Sequence, residues 1–145
     1  MLGLARSLSP AAEGLEQLIL EVQKQLFVVG AELATDVANA GKLKSGISKV
    51  TGDMVDALEA HIDRMTDQSP LPNYFIVPGA SSVSAALDIA RAVVRRAERF
   101  TVTMQTRGML SDDSALRYLN RLSDFLFTAA RFEEAARGLQ APSSR

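Results

Sequence analysis

The sequence predicts an all-α protein, an up-and-down helical bundle, and three features carry that expectation. Apolar residues recur at steps of three and four in the long stretches, the spacing of one buried face on a helix with about 3.6 residues per turn. No stretch alternates apolar with polar residues as a half-buried strand does. Serine, threonine, glycine and proline fall at the joints between periodic stretches, where helices start and stop.

Residues 1–8, with Leu2, Leu4, Ala5 and Leu8, read as the end of a helix, because Met1 leads straight into apolar residues with no capping residue. Ser9-Pro10 then supplies a new start: Ser9 as N-cap, Pro10 at the first helical position, and Glu13 near the positive end of the dipole. Leu15, Leu18, Ile19, Val22, Leu26, Val29 and Leu33 continue it as one stripe. Asn39 to Val50, with Gly41 and Gly46 among lysines and serines, reads as a loop. Thr51 caps the next helix, whose apolar face is Val55, Leu58, Ile62 and Met65. Pro70, Pro72 and Pro78 then forbid helix. Asn73 to Val77 is apolar but has no second strand to pair with, so it reads as an extended, partly buried connection.

Ser81 or Ser82 caps a long helix running to about Thr106, with Ala86, Ile89, Ala90, Val93, Ala97, Phe100 and Met104 on its core face. Gly108 ends it, and Ser111 caps a last helix reaching about Arg137. In that helix Leu116, Leu119, Leu122, Leu126 and Ala130 form the core stripe. Tyr118, Phe125 and Ala129 form a second one, as on a helix with two neighbours, of which another subunit can be one. Residues 1–138 make a single helical-bundle domain, and residues 139–145 a disordered tail.

A chain of 145 residues is long enough for one domain with a real core. Its 47% hydrophobic and 23% charged residues are ordinary globular composition. A formal net charge of -1 gives no bulk attraction to nucleic acid or to an anionic membrane, so neither is an expected partner and any anion site must be a local cluster. The absence of cysteine excludes a disulfide framework, a thiolate metal site and a cysteine nucleophile, and it fits a cytoplasmic protein. The longest apolar stretch, Leu26 to Leu33, is too short to span a bilayer, and the opening residues, with no long apolar run and with acids at Glu13 and Glu16, are not expected to be a secretory leader. His61, the only histidine, lies off its helix's apolar stripe and reads as a surface residue rather than a metal ligand or base. No metal site is expected from the protein's own side chains. Neither a P-loop nor a Rossmann glycine pattern occurs.

Every basic residue after Lys49 is arginine. Arg91, Arg95 and Arg99, spaced i, i+4, i+8, line the face opposite the apolar stripe, with Arg96 on a flank and Glu98 beside the stripe. Like charges on adjacent turns repel by about 0.2–0.5 kcal/mol per pair, and a bound polyanion would offset that repulsion. A solvated face with intersubunit salt bridges accounts for the same spacing equally well. In the last helix, Asn120 and Asp124 stack one turn apart beside Arg117, Arg121 and Thr128. Both are mediocre helix formers in mid-helix, which points to a tertiary task such as orienting an arginine or a nucleotide, or to a solvent-exposed seam.

The stretches QKQLFVVGAELA (Gln23 to Ala34), FIVPGASSVSAALDIARAVVRRAER (Phe75 to Arg99) and YLNRLSDFLF (Tyr118 to Phe127) together resemble the PduO-type ATP:cob(I)alamin adenosyltransferases. The resemblance implies a five-helix, ferritin-like bundle assembled as a homotrimer with active sites between subunits. It implies transfer of the 5′-deoxyadenosyl group from ATP, carried with Mg²⁺, to the cobalt of a reduced corrinoid (cobalamin), with release of triphosphate. By position it makes Arg95, Arg96, Glu98, Arg99 and Asn120 the residues that bind or frame ATP. It makes Arg91 the partner of an intersubunit ion pair, and puts Arg91, Arg95 and Asp124 in the catalytic set with Arg121 in support. Phe75 corresponds to the aromatic that closes the lower axial side of the corrin.

Two departures from the family pattern stand out. Neither a TKTGDxGxTxL-like ATP loop nor a DELN-like acidic stretch occurs in these residues, and Met1 falls inside what should be the first helix, so that helix is expected to be truncated. Gly79-Ala80 replaces a glycine pair, and Asp88 stands where the family usually has histidine. A non-catalytic or truncated member, one that binds corrinoid or serves as a trimeric helical scaffold, is the alternative function.

Overall fold

The computed structural model describes all 145 residues. Five α-helices follow one another: α1 (Leu2–Ser7), α2 (Leu15–Leu33), α3 (Gly52–Gln68), α4 (Ser82–Thr106) and α5 (Ser114–Ala136), with a 3₁₀ segment at Val37–Lys42 between α2 and α3. The helical bundle that the spacing predicts is the one observed. Its first helix is only six residues long.

Helix α5 is the central element and packs against α4, α3 and α2. Tyr118, Phe125, Leu122 and Leu126 from it are fully buried, together with Leu15, Ile19, Leu58, Met65 and Leu87 from the helices around it. Each such side chain contributes about 1.5–3 kcal/mol by leaving water. The second apolar stripe of α5 therefore faces neighbours in its own chain: Tyr118 donates to Gln25 of α2 at 2.7 Å, and Phe125 lies edge-on to His61 of α3. His61 is accordingly half-buried rather than a surface residue.

Two caps form where the sequence puts them. The Thr51 hydroxyl accepts from Met54 N–H, and Ser81 forms a reciprocal capping box with Ser84. Two do not. Helix α2 begins at Leu15 after Gly14, not at Ser9-Pro10, because the buried Glu133 carboxylate accepts the N–H groups of Ala11 and Ala12 at 2.9 and 2.8 Å and holds them outside the helix. Helix α5 begins at Ser114, whose N–H is taken by Asp112 instead of Ser111.

The apolar phase of α4 also differs from expectation. Its buried residues are Val83, Ser84, Ala86, Leu87, Ala90, Val94 and Thr101, whereas Ile89, Val93 and Phe100 are exposed. Residues 139–145 are not a disordered tail. Gly138, with φ +67°, turns the chain at the end of α5, and the segment then runs antiparallel to the connection between α3 and α4. Val77 N–H donates to Pro142 C=O, and Ser144 N–H to Phe75 C=O, both at 2.8 Å. The tail is the pairing partner that the 73–77 stretch lacked in the sequence.

Candidate functional site

A cleft of about 440 Å³ opens between α3, α4 and α5, within the range of small-molecule sites. Glu98 of α4 and Asn120 of α5 meet in it. The Asn120 amide donates to the Glu98 carboxylate at 2.9 Å, and Arg95 Nη1 stands 3.6 Å from the other carboxylate oxygen. The 100° advance per residue turns Glu98 between the core face and the arginine face of α4, so one side chain reaches both. Three carboxylates (Glu59, Glu98, Asp113) and two guanidiniums (Arg117, Arg121) line the cleft, so its walls are of mixed charge.

Arg121 pairs with Asp124 one turn on and lies 3.8 Å from Glu59 of α3. Its Nε is buried without an acceptor. Of the seam residues, Asp124 lies against an arginine, Arg121, whereas Asn120 turns to Glu98.

The arginine stripe of α4 is not gathered over a single pocket. Arg95, Arg96 and Arg99 are exposed, and Arg96 and Arg99 have no carboxylate within ion-pair distance. Arg99 contacts only the Arg95 carbonyl, at 3.4 Å. Arg91 turns the other way, its guanidinium 5.4 Å from the centre of the Phe127 ring and its Nε buried without a partner. Phe75 is 81% exposed, although the backbone beside it is pinned by the tail. The expectation of a partly buried connection is wrong for this side chain.

Sequence reasoning missed Arg131. It is buried, donates to Glu134 on its own helix and to Asp88 of α4, and lies 5.1 Å from the same Phe127 ring. Burial alone would lower its pKa, but the bonds to Asp88 and Glu134 outweigh that and leave it above its ordinary value. The signal available was an arginine and a glutamate at i, i+3 near the end of the last helix, with an acid at position 88 interrupting a basic face.

The model of the cobalamin adenosyltransferase family matches residues 1–133. The chain belongs to that family. Among adenosyltransferase relatives, the corrinoid adenosyltransferase of Citrobacter freundii is 44% identical over 120 residues, covering 83% of this chain and 66% of its own length. That of Bacillus subtilis is 38% identical over 130 residues, covering 90% and 64%. The chain thus spans about two thirds, or slightly less, of these curated relatives. Two solved adenosyltransferases agree in fold, both variants of the PduO-type ATP:corrinoid adenosyltransferase from Lactobacillus reuteri. A phenylalanine-to-alanine variant complexed with cobalamin and ATP is 31% identical with a TM-score of 0.84, over 99% of this chain and 78% of that one. An arginine-to-lysine variant complexed with ATP is 30% identical with a TM-score of 0.85, over 99% and 79%. No helix of this family member is long and apolar enough to cross a membrane.

Proposed function

We propose that this protein transfers the 5′-deoxyadenosyl group of ATP to the cobalt of a reduced corrinoid, and that the cleft between α3, α4 and α5 takes part in holding the nucleotide. The observation that carries the reading is the Arg95–Glu98–Asn120 contact, which ties the two motif-bearing helices together at that cleft.

Cobalt(I) is itself the nucleophile. Its electron pair forms the cobalt–carbon bond at C5′, while the C5′–O bond breaks and its electrons leave with triphosphate. The protein need supply no base, only in-line positioning and cations for the leaving group. Arg95, Arg96 and Arg99 supply those cations, free of competing carboxylates except at Glu98, and Mg²⁺ enters as part of the ATP complex. Asn120 frames the nucleotide, and Asp124 holds Arg121. Phe75, an aromatic ring held out into solvent on a pinned backbone, covers the lower axial side of the corrin. Arg91, whose Nε finds no acceptor in its own chain, pairs with an acid of a neighbouring subunit.

Assembly as a homotrimer belongs to the same reading. Phe27 is 81% exposed and Phe100 66%, with Ile89 and Val93 also in solvent, and apolar surface of that kind marks an interface. A cytoplasmic setting belongs to the same reading, since it supplies both ATP and the reducing conditions that a reduced corrinoid needs.

Purified protein, ATP, Mg²⁺ and chemically reduced cobalamin should give the spectrum of adenosylcobalamin. Absence of that spectrum, together with calorimetry showing corrinoid binding but no ATP binding, transfers the assignment to a non-catalytic corrinoid-binding member.

A further inference from the structure

Arg91 is in an unusual position for a surface arginine. Its Nε is buried and has no acceptor, and none of its nitrogens forms an ion pair in the chain. Removing a guanidinium N–H from water without replacing its hydrogen bond is unfavourable. Among the contacts of the chain, what stands against that cost is the face of Phe127, 5.4 Å away.

Phe127 is in turn held. The Arg131 guanidinium lies 5.1 Å from the ring centre, and Arg131 itself cannot turn freely. Its Nη2 donates to Asp88 at 2.7 Å and to Glu134 at 2.9 Å, its Nε donates to Glu134 at 2.8 Å, and its side chain is 4% exposed. Two carboxylates on two helices therefore fix one arginine, that arginine fixes a ring, and the ring receives a second arginine. The second has its Nε unpartnered and no ion pair in the chain.

We propose that Phe127 is a positioning residue for Arg91, presetting its direction before an anion outside this chain arrives, and that Asp88 and Arg131 hold Phe127 for that purpose. The inference rests on the adenosyltransferase reading, since it assigns to the ring a share in the transfer.

Two measurements on the intact chain test it. The first needs no substrate: the Nε–Hε resonance of Arg91 should exchange slowly and lie upfield under the ring current of Phe127, and should return toward the position of a free arginine in Phe127→Leu. A free-arginine signal in the unaltered protein overturns the contact. The second is turnover with ATP and reduced cobalamin. Phe127→Leu keeps an apolar side chain but removes the aromatic face, and turnover should fall about tenfold, since displacing a positioned group costs one to two orders of magnitude. Phe127→Tyr should restore it to within about twofold, because the face is kept.

In an Arg91→Ala background, Phe127→Leu should cause no further loss, as expected for two residues acting as one unit. Equal losses with and without Arg91 would make Phe127 ordinary core packing and sink the proposal, as would unchanged turnover in Phe127→Leu. Should Phe127→Leu not fold, Arg131→Lys releases the ring without removing it and must give the same resonance shift and loss of turnover. An intact protein with no turnover overturns the function, and this role with it. Unchanged turnover in the variants overturns the role alone.

Discussion

The Asn120 amide nitrogen lies 2.9 Å from the Glu98 carboxylate, and this single bond joins α5 to α4 at the mouth of the cleft. An amide at 120 neutralises nothing but gives the carboxylate a donor, leaving Arg95, 3.6 Å away on the other oxygen, only loosely held. The loosely held arginine is the one that can turn to a phosphate. Replacing Asn120 by aspartate would face two carboxylates across the bond and draw Arg95 inward. Like charges placed together cost up to several kcal/mol, so Asn120→Asp should weaken ATP binding by about tenfold or more. Asn120→Ala, which adds no charge, should weaken it several-fold less. Calorimetry with ATP checks the order.

Arg95 has its guanidinium half in solvent and one weak partner in the chain, so its removal should leave folding nearly unchanged. A hydrogen bond to a charged group contributes about 1.5–3 kcal/mol, which sets the expected loss of ATP affinity in Arg95→Ala at about ten- to hundredfold. Arg107→Ala, which removes an equal charge just past the end of α4, is the control. Equal losses from both would mean that ATP responds to net charge and not to placement.

These two side chains also mark how far the sequence was legible. The 3.6-residue period and the capping residues Thr51 and Ser81 are local signals, and they located α3 and α4 correctly. The start of α2 was not local. Ser9-Pro10 looks like a helix start until Glu133, more than a hundred residues away, takes the N–H groups of Ala11 and Ala12. The phase of α4 failed for another reason. That helix has a core face and a separate apolar flank of Ile89, Val93 and Phe100, and periodicity cannot tell which of two apolar faces is inside. At the site, the motifs named Glu98 and Asn120 separately as residues that frame ATP, and nothing in the sequence joined them to each other. The buried Asp88–Arg131 pair was hidden, because residues 43 positions apart carry no shared spacing.

Glu133 is fully buried and accepts from Ala11 N–H, Ala12 N–H and Arg137 Nε. Glu133→Ala strands these donors, and each buried donor left unmet costs about 1–3 kcal/mol. The variant should lose about 2–4 kcal/mol of stability, with the lead into α2 fraying first. Urea unfolding with an unchanged slope would report the loss, and faster amide exchange at Ala11 and Ala12 its location.

Lys49 joins Glu32 at 2.6 Å and Asp112 at 2.8 Å, fastening the loop before α3 to α2 and to the start of α5. Burial would raise the Asp112 carboxyl, but hydrogen bonds from Lys49 and Ser114 outweigh it and hold the group below its ordinary 3.8. Burial would likewise lower Lys49, and the two carboxylates outweigh that and raise it above 10.5. A depressed acid stabilises the fold above its unfolded pKa and loses that contribution as pH falls through the folded one. A raised base does the reverse and loses its contribution as pH rises past 10.5. Since Asp112 is about half exposed, screening limits the pair, and Asp112→Asn should cost only about 0.5 kcal/mol at neutral pH. The difference between variant and unaltered protein should begin to shrink as pH falls past 3.8 and disappear only below the lower pKa of the folded state, read from thermal midpoints across a pH series.

Phe27 of α2 and Val93 of α4 line one apolar groove together with Leu26 and Ala90, and Ile89 and Phe100 extend the exposed surface along α4. A phenyl ring 81% exposed gains nothing in the folded monomer, so an acidic replacement there should leave monomer stability within about 0.5 kcal/mol. In the proposed trimer, with this groove at its interface, the same position would be covered, and an aspartate would be buried without a partner, at a cost of several kcal/mol per interface. Phe27→Asp and Phe100→Asp should therefore convert a trimer to monomers in sedimentation while the helical signal and its thermal midpoint at low protein concentration stay nearly unchanged. Because the free Arg91 is assigned to a neighbour's acid, the same variants should lose adenosyl transfer far more than they lose helix. Monomeric behaviour of the unaltered protein, with full turnover, would separate the chemistry from assembly and require an acceptor for Arg91 other than a subunit.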